Sequence, residues 1–231
     1  MKIKFSNPLK ELNTFEWNLW GFSSLAVIIS FILPEDKDIL SLIASLIGAT
    51  ALIFVAKGLV IGQILCVVFS VFYGIVSFYF KYYGEMITYL GMSAPIALAS
   101  VISWIRHPHK GSNEVEVSRL SKRCKNALII SAPIVTAIFY FLLKALGNAN
   151  LVFSTLSVTT SYVASYLTFF RSSFYAIGYA TNDIVLIILW VSASIKQPSY
   201  LPMVLCFVAF LVNDLYGFYN WEKMRKRQAK Q

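Results

Sequence analysis

Long apolar runs alternate with short polar stretches along almost the whole chain, and the runs carry very few charges. Eight of them stand out, at 17–33, 39–56, 59–80, 85–105, 127–146, 150–170, 173–192 and 199–221. A helix needs about 20 such residues to cross a bilayer. Backbone exposed to lipid must satisfy its own hydrogen bonds, so each run is expected to be a helix. The pattern therefore predicts an all-α polytopic membrane protein with eight transmembrane helices. The first run follows Lys2, Lys4 and Lys10 as a signal peptide would. It leads into Leu33-Pro34-Glu35-Asp36 rather than a small-x-small cleavage site, so it is expected to be a retained span.

The polar stretches set an orientation. Of the twenty Lys and Arg residues, only Lys37, Lys81, Lys144 and Lys196 fall on one side if the runs alternate; the other sixteen share the side of the N-terminus. Such a bias marks the cytoplasmic face. Both termini are expected inside, and the basic stretch 106–126 inside as the one sizeable loop. The spans also fall into a repeat. Phe80-Lys81-Tyr82-Tyr83-Gly84-Glu85 leads into a span ending at Trp104, and Ile195-Lys196-Gln197-Pro198-Ser199-Tyr200 leads into one ending at Trp221. Three spans, one linker span and three spans is the arithmetic of a parallel repeat, an architecture of transporters with a site at the repeat interface. The expected divisions are 1–38 with an extra N-terminal helix, 39–105 as a first three-helix bundle, 106–149 as the basic loop and linker helix, and 150–231 as a second three-helix bundle with a basic tail.

Composition agrees with the pattern. Apolar residues make up 58% of the 231 positions, against about 45–50% in soluble domains. The net charge of +9 is spread as a membrane protein spreads it, which argues for a bilayer partner and against nucleic acid. Cys66, Cys124 and Cys206 have no metal or CxxC spacing and read as free thiols. His107 and His109 share one solvated loop and offer no metal site. No nucleotide-binding glycine loop, HExxH or Ser-His-Asp set is present, so neither an enzyme nor a bound cofactor or metal is expected.

The chemistry is concentrated in a few polar residues inside the runs. Asn182 and Asp183 lie in the middle of 173–192, roughly 15 Å from either end. A carboxylate at that depth is costly unless it faces protein or water. Asn213 and Asp214 form a second such pair, roughly 20 Å along 199–221. Glu85 opens its span at the outer face. Each of these also reads as a helix–helix hydrogen bond or, for Glu85, as a solvated acid at a helix N-terminus. Tyr175, Tyr179 and Trp190 lie near Asp183 in sequence and Tyr216 near Asp214. They are candidates to line a pocket by stacking or cation–π contact. No Lys or Arg sits deep in any run. Phosphate recognition usually recruits such residues, so a neutral or cationic small-molecule ring compound is the expected cargo. A scaffold whose acids merely join helices is the alternative from another class, and a homo-oligomer is compatible with the sequence.

Three stretches carry a resemblance. They are Arg171-Ser172-Ser173-Phe174-Tyr175-Ala176-Ile177-Gly178-Tyr179-Ala180-Thr181-Asn182-Asp183-Ile184-Val185-Leu186, Asn213-Asp214-Leu215-Tyr216-Gly217-Phe218-Tyr219-Asn220-Trp221, and Tyr83-Gly84-Glu85-Met86 with Pro95 after it. With these the chain, over about 39–225, resembles the PnuC family of bacterial vitamin transporters. The resemblance implies a core similar to the SWEET sugar transporters, a place in the bacterial cell membrane, and nicotinamide riboside as cargo. It also implies facilitated diffusion, with uptake drawn by phosphorylation of the substrate inside the cell. It makes Asn182 a substrate-binding position and matches Asp214 to the family's repeated Tyr-Gly-aromatic motif. Where many members carry a Trp pair, this chain has Tyr175 and Gly178; it has Ala94-Pro95-Ile96-Ala97 where others often place Asn or Gln after the proline, and Phe69 where a polar residue is common. Relatives that carry thiamine, riboflavin or deoxynucleosides therefore remain alternatives.

Overall fold

The computed structural model describes residues 7–33, 39–79, 83–110, 112–148, 150–196 and 201–230. The connecting stretches 34–38, 80–82 and 197–200, with Lys2, Lys4, Lys37 and Lys81, lie outside the described residues. The described chain is helical apart from turns and two isolated bridges in the loop after residue 106. We number the helices α1 (Thr14–Ile32), α2 (Ile39–Ala56), α3 (Val60–Tyr79), α4 (Tyr83–Arg106), α5 (Lys122–Ala145), α6 (Leu151–Phe169), α7 (Tyr175–Lys196) and α8 (Leu201–Gln228). All but α6 are long and apolar enough to cross a membrane. In α6, eight of nineteen residues are Ser or Thr, and these lower its mean hydropathy.

Local chemistry explains where the helices depart from the apolar runs. Helix α1 starts three residues before its run because Asn13 and Glu16 form a capping box: Glu16 N donates to Asn13 Oδ1 and Asn13 N to a Glu16 carboxylate oxygen. Ser121 caps α5 through Cys124 N, so that helix opens on basic residues before its apolar run. Helix α8 continues beyond residue 221 into the basic tail, held by Glu222, Arg225 and Gln228. Helix α4 widens into a π-helical stretch at Tyr89–Ser93, where Ala94 N donates to Tyr89 O. Pro95 follows at once and cannot donate to Gly91 O, so a wider turn upstream absorbs the interruption.

The helices close into a ring. Helix α2 packs on α3, α3 on α4, α4 on α6, α6 on α7, α7 on α8, and α8 returns to α2. Helix α1 lies outside the ring across α2 and α8, and α5 lies outside it on α6. Glycines permit two of the tightest approaches. A Cβ on Gly62 would lie 2.5 Å from Val55 N, and one on Gly178 would lie 2.9 Å from the Ala164 backbone.

One end of the ring is sealed twice over by matching contacts. Helices α2 and α6 end in the same left-handed turn, at Gly58 (φ 69°) and Arg171 (φ 56°). Gly58 N donates to Val55 O and Leu59 N to Phe54 O; Arg171 N donates to Thr168 O and Ser172 N to Leu167 O. The last carbonyls of α2 and α6 also receive the ends of α8 and α4. Trp221 Nε1 donates to Val55 O (2.9 Å) and Asn220 Nδ2 to Ala56 O (2.8 Å). Trp104 Nε1 donates to Thr168 O (3.0 Å) and Ser103 Oγ to Phe169 O (2.8 Å). The two indoles meet with centroids 5.4 Å apart, and Tyr175 lies 4.7 Å from Trp221. The loop after α4 crosses beneath them. Val115 N donates to Gly58 O, Ser118 N to Arg171 O, and Val115 fills the space below the aromatic rings. Arg171 also donates to Glu116 O and Ser103 Oγ. Partial burial draws its guanidinium below the usual arginine value, and Glu116 pulls it back up.

Candidate functional site

Two turns above this seal, acids from α7 and α8 face each other. Asp183 stands eight residues beyond Tyr175, and Asp214 seven residues before Trp221, or about 10–12 Å along each helix. The two carboxyl groups lie within hydrogen-bonding reach of one another. Each is 5% exposed, so both face the ring's interior and not lipid. Asp183 Oδ2 is buried with no hydrogen-bond partner. Helix interiors supply no basic group: every Lys or Arg in a described helix falls in its first turn or last two turns. Two acids so placed repel unless a proton or a cation comes between them.

Helix α6 holds the neighbouring amide. Ser157 Oγ (3.0 Å) and Thr160 Oγ1 (2.9 Å) both donate to Asn182 Oδ1, which fixes the amide and leaves its NH₂ to other partners. Tyr179, one turn below Asp183, bonds Ser165 through its hydroxyl at 3.0 Å. Cys66 on α3 packs near Tyr175 and Tyr179 and lies close to Asp214.

A second polar group sits toward the other end. Tyr73 Oη donates to Glu85 Oε2 at 3.1 Å, and Ser77 lies beside that carboxylate. Phe69, Tyr73 and Tyr89 form an aromatic trio with centroids 4.6–5.7 Å apart. Tyr89, which the π-helical stretch carries, lies near enough to Glu85, Tyr179 and Asp183 to interact with all three. A column of acids and phenols thus runs from Glu85 through Tyr89 to Asp183 and Asp214. It ends on Tyr175 and the Trp104–Trp221 pair.

The residues expected from sequence divide accordingly. The structure brings Asn182, Asp183, Tyr179 and Asp214 together, with Glu85 linked through Tyr89. Tyr175 belongs to the seal. Asn213 and Tyr216 face away, toward α1: Asn213 Nδ2 donates to Ser23 Oγ at 2.6 Å and Tyr216 Oη to Glu16 Oε1. Glu16 is fully buried and also pairs with Lys57 at 3.2 Å. Trp190 is half-buried, seven residues beyond Asp183. Sequence reasoning passed over Tyr73, Ser77 and Tyr89. A usable signal was present on α3, where Gln63, Ser70 and Ser77 recur every seven residues and all are buried. Among the described residues no group of three or more His, Cys, Asp or Glu could hold a metal ion.

Comparison with known proteins fits this arrangement. The profile of the family described as nicotinamide mononucleotide transporter matches residues 38–223. The chain belongs to this family, the PnuC family. A PnuC nicotinamide riboside transporter from Neisseria mucosa is 29% identical over 221 residues, covering 93% of this chain and 82% of the relative. One from Haemophilus influenzae is 25% identical over 190 residues, 81% of each chain. A crystal structure of the vitamin B3 transporter PnuC superimposes with a TM-score of 0.77 at 27% identity, covering 94% of both chains. Like other members of the PnuC family, the chain is a multi-pass membrane protein of a bacterial transporter family.

Proposed function

We propose that this chain carries nicotinamide riboside across the bacterial cell membrane by facilitated diffusion, drawn by phosphorylation of the substrate inside the cell. The observation that carries the reading is the buried Asp183–Asp214 pair, with an unpartnered oxygen and no basic residue beside it. A flat pyridinium is a cation that such a pair can neutralise, and Tyr179 and Tyr89 supply aromatic surface next to it. The relatives named for the riboside support the same cargo. A mononucleotide adds a phosphate dianion, and the column offers that group acids and phenols only. Asn182 supplies amide hydrogen bonding for the sugar hydroxyls, and Glu85 with its aromatic trio is the first contact for a cation arriving at the far end.

In this reading all eight helices span the bilayer. Helix α6 does so despite its hydroxyls because it turns Ser157 and Thr160 toward Asn182 and Thr159 toward Thr136. Helices α2–α4 and α6–α8 form the two repeats of a SWEET-like core, and the duplicated contacts of Trp104 and Trp221 lie across their pseudo-twofold axis. Both termini are cytoplasmic, so the Trp seal is the inner gate. Counterflow in proteoliposomes tests the cargo. Nicotinamide riboside exchanges, and the mononucleotide does not compete. Dominant competition by thiamine, another flat ring cation, reassigns the cargo to that vitamin. Failure to move riboside, thiamine, riboflavin or deoxynucleosides leaves the acids as helix glue.

A further inference from the structure

A cleft of about 520 Å³ opens at the basic end, between α5 and the inner ends of α6, α7 and α8. Its lining is of two kinds: the bases Arg119, Lys125 and Arg225, and the apolar Leu128, Ile129 and Phe174. Ile129 is 70% exposed and Phe174 52% exposed, so these apolar residues face outward from the bundle rather than into it.

The bases that open α5 have the wrong sign for a helix N-terminus. A helix N-terminus carries partial positive charge and favours acids. Helix α5 nevertheless opens with Lys122, Arg123 and Lys125 and has no acid in its first turn. No Asp or Glu occurs anywhere from Val117 to Asn182 to offset them. Arg225 pairs with Glu222, which also accepts from Ser173. Among the described residues, Arg119 and Lys125 enter none of the ion pairs. The cytoplasmic bias of Lys and Arg brings bases to this end, and their grouping in a cleft with apolar residues suits an anion with an apolar tail. Tyr166 Oη donates to Cys124 O at 3.0 Å and fixes the start of α5 against α6, so the bases cannot simply swing away on their helix.

We propose that this cleft binds an anionic phospholipid of the inner leaflet. The headgroup phosphate sits between Arg119, Lys125 and the start of α5, and an acyl chain lies along Leu128, Ile129 and Phe174. Basic pockets between helices at this level are suited to such headgroups, and each base near the surface contributes roughly fivefold in binding. The lipid joins the linker helix to Phe174, the residue before Tyr175 of the seal. This proposal rests on the membrane-spanning reading and is independent of the cargo.

The test uses the purified full-length chain in neutral detergent, with native mass spectrometry and thermal melting as readouts. Phosphatidylglycerol is expected to remain bound and raise the melting temperature, and phosphatidylcholine is not. Arg119→Ala with Lys125→Ala weakens retention of phosphatidylglycerol by roughly 25-fold, following the fivefold per base. Lys110→Ala with Lys230→Ala removes the same charge elsewhere and changes retention by less than about twofold, because screening limits its reach. Leu128→Trp fills the apolar part of the cleft, leaves the bases intact and also reduces retention. Equal protection by phosphatidylcholine overturns the proposal, as does equal loss in both double variants. Protection by inorganic phosphate alone overturns it in favour of a free-anion site.

Discussion

At the sealed end, the two halves of the chain make the same contacts. Trp104 and Ser103 bond the end of α6 as Trp221 and Asn220 bond the end of α2. Two turns deeper the likeness stops. Asp183 and Asp214 both come from the second half; counted from the matching turn at Gly58 and from Trp104, the first half has Ser70 and Ala97 at those places. The first half contributes phenols and Cys66 instead. A gate that opens by rocking two like units against each other works best with like contacts at the axis, so that both sides release together. A cargo with a charged ring at one end and a sugar at the other has no such symmetry, and a site that orients it needs unlike walls.

Equal weakening of the seal from either side is the largest expected effect. Trp104→Ala and Trp221→Ala each remove a fully buried indole, and each should cost about 3–5 kcal/mol. Melting in detergent reads this, and values for the two variants that differ by more than about 2 kcal/mol would break the correspondence between the halves. The asymmetry of the middle is tested next. Asp183→Asn keeps the shape of the side chain and removes its charge. Uptake of nicotinamide riboside should fall by roughly 10- to 100-fold, the range expected for losing a hydrogen bond to a charged group. Membrane insertion and melting should stay near wild type, because the acid has an unpartnered oxygen to lose. Full transport by a correctly folded Asp183→Asn protein removes the aspartate from the cargo site.

Much of this was legible in the sequence because the bilayer makes few demands and enforces them strictly. Length and apolarity marked the helices, and the sorting of Lys and Arg matches the gathering of Lys57, Arg106, Arg171 and the basic tail at one end. The Trp residues closing α4 and α8 pointed to the matching contacts at the sealed end, since the same residue recurs at the same place. The Asn-Asp pairs showed that charge is buried, but not which way each side chain faces. Asn182 and Asp183 are adjacent, and both face protein. Asn213 and Asp214 are adjacent too, and they diverge: Asp214 enters the ring while Asn213 turns to α1. A step of 100° between neighbours separates an inward from an outward residue, and only packing against a neighbouring helix decides which is which. Tyr89 escaped notice for a related reason. Its inward direction depends on the π-helical stretch before Pro95, which shifts the helical phase by one residue.

The smallest predicted effect concerns α1, which joins the α2–α8 seam through polar contacts. Glu16, Ser23 and Ser30 recur every seven residues and meet Tyr216, Asn213 and Cys206 in turn along α8. Helix α5, by contrast, packs mainly on α6 and reaches α4 through apolar contacts, with Leu143 beside Gly84 and clustered with Met92. Helix α1 therefore acts as a clamp on the α2–α8 seam, and Asn213 belongs to the clamp. Asn213→Ala removes one interhelical hydrogen bond and should lower stability by about 0.6 kcal/mol, the average for such bonds in membranes. The KM for uptake should not change. A raised KM with unaltered melting would return Asn213 to the cargo site, and would mean that the clamp opens while the carrier works. Unchanged KM with a small loss of stability keeps the two Asn-Asp pairs distinct, one at the site and one shared between the site and the clamp.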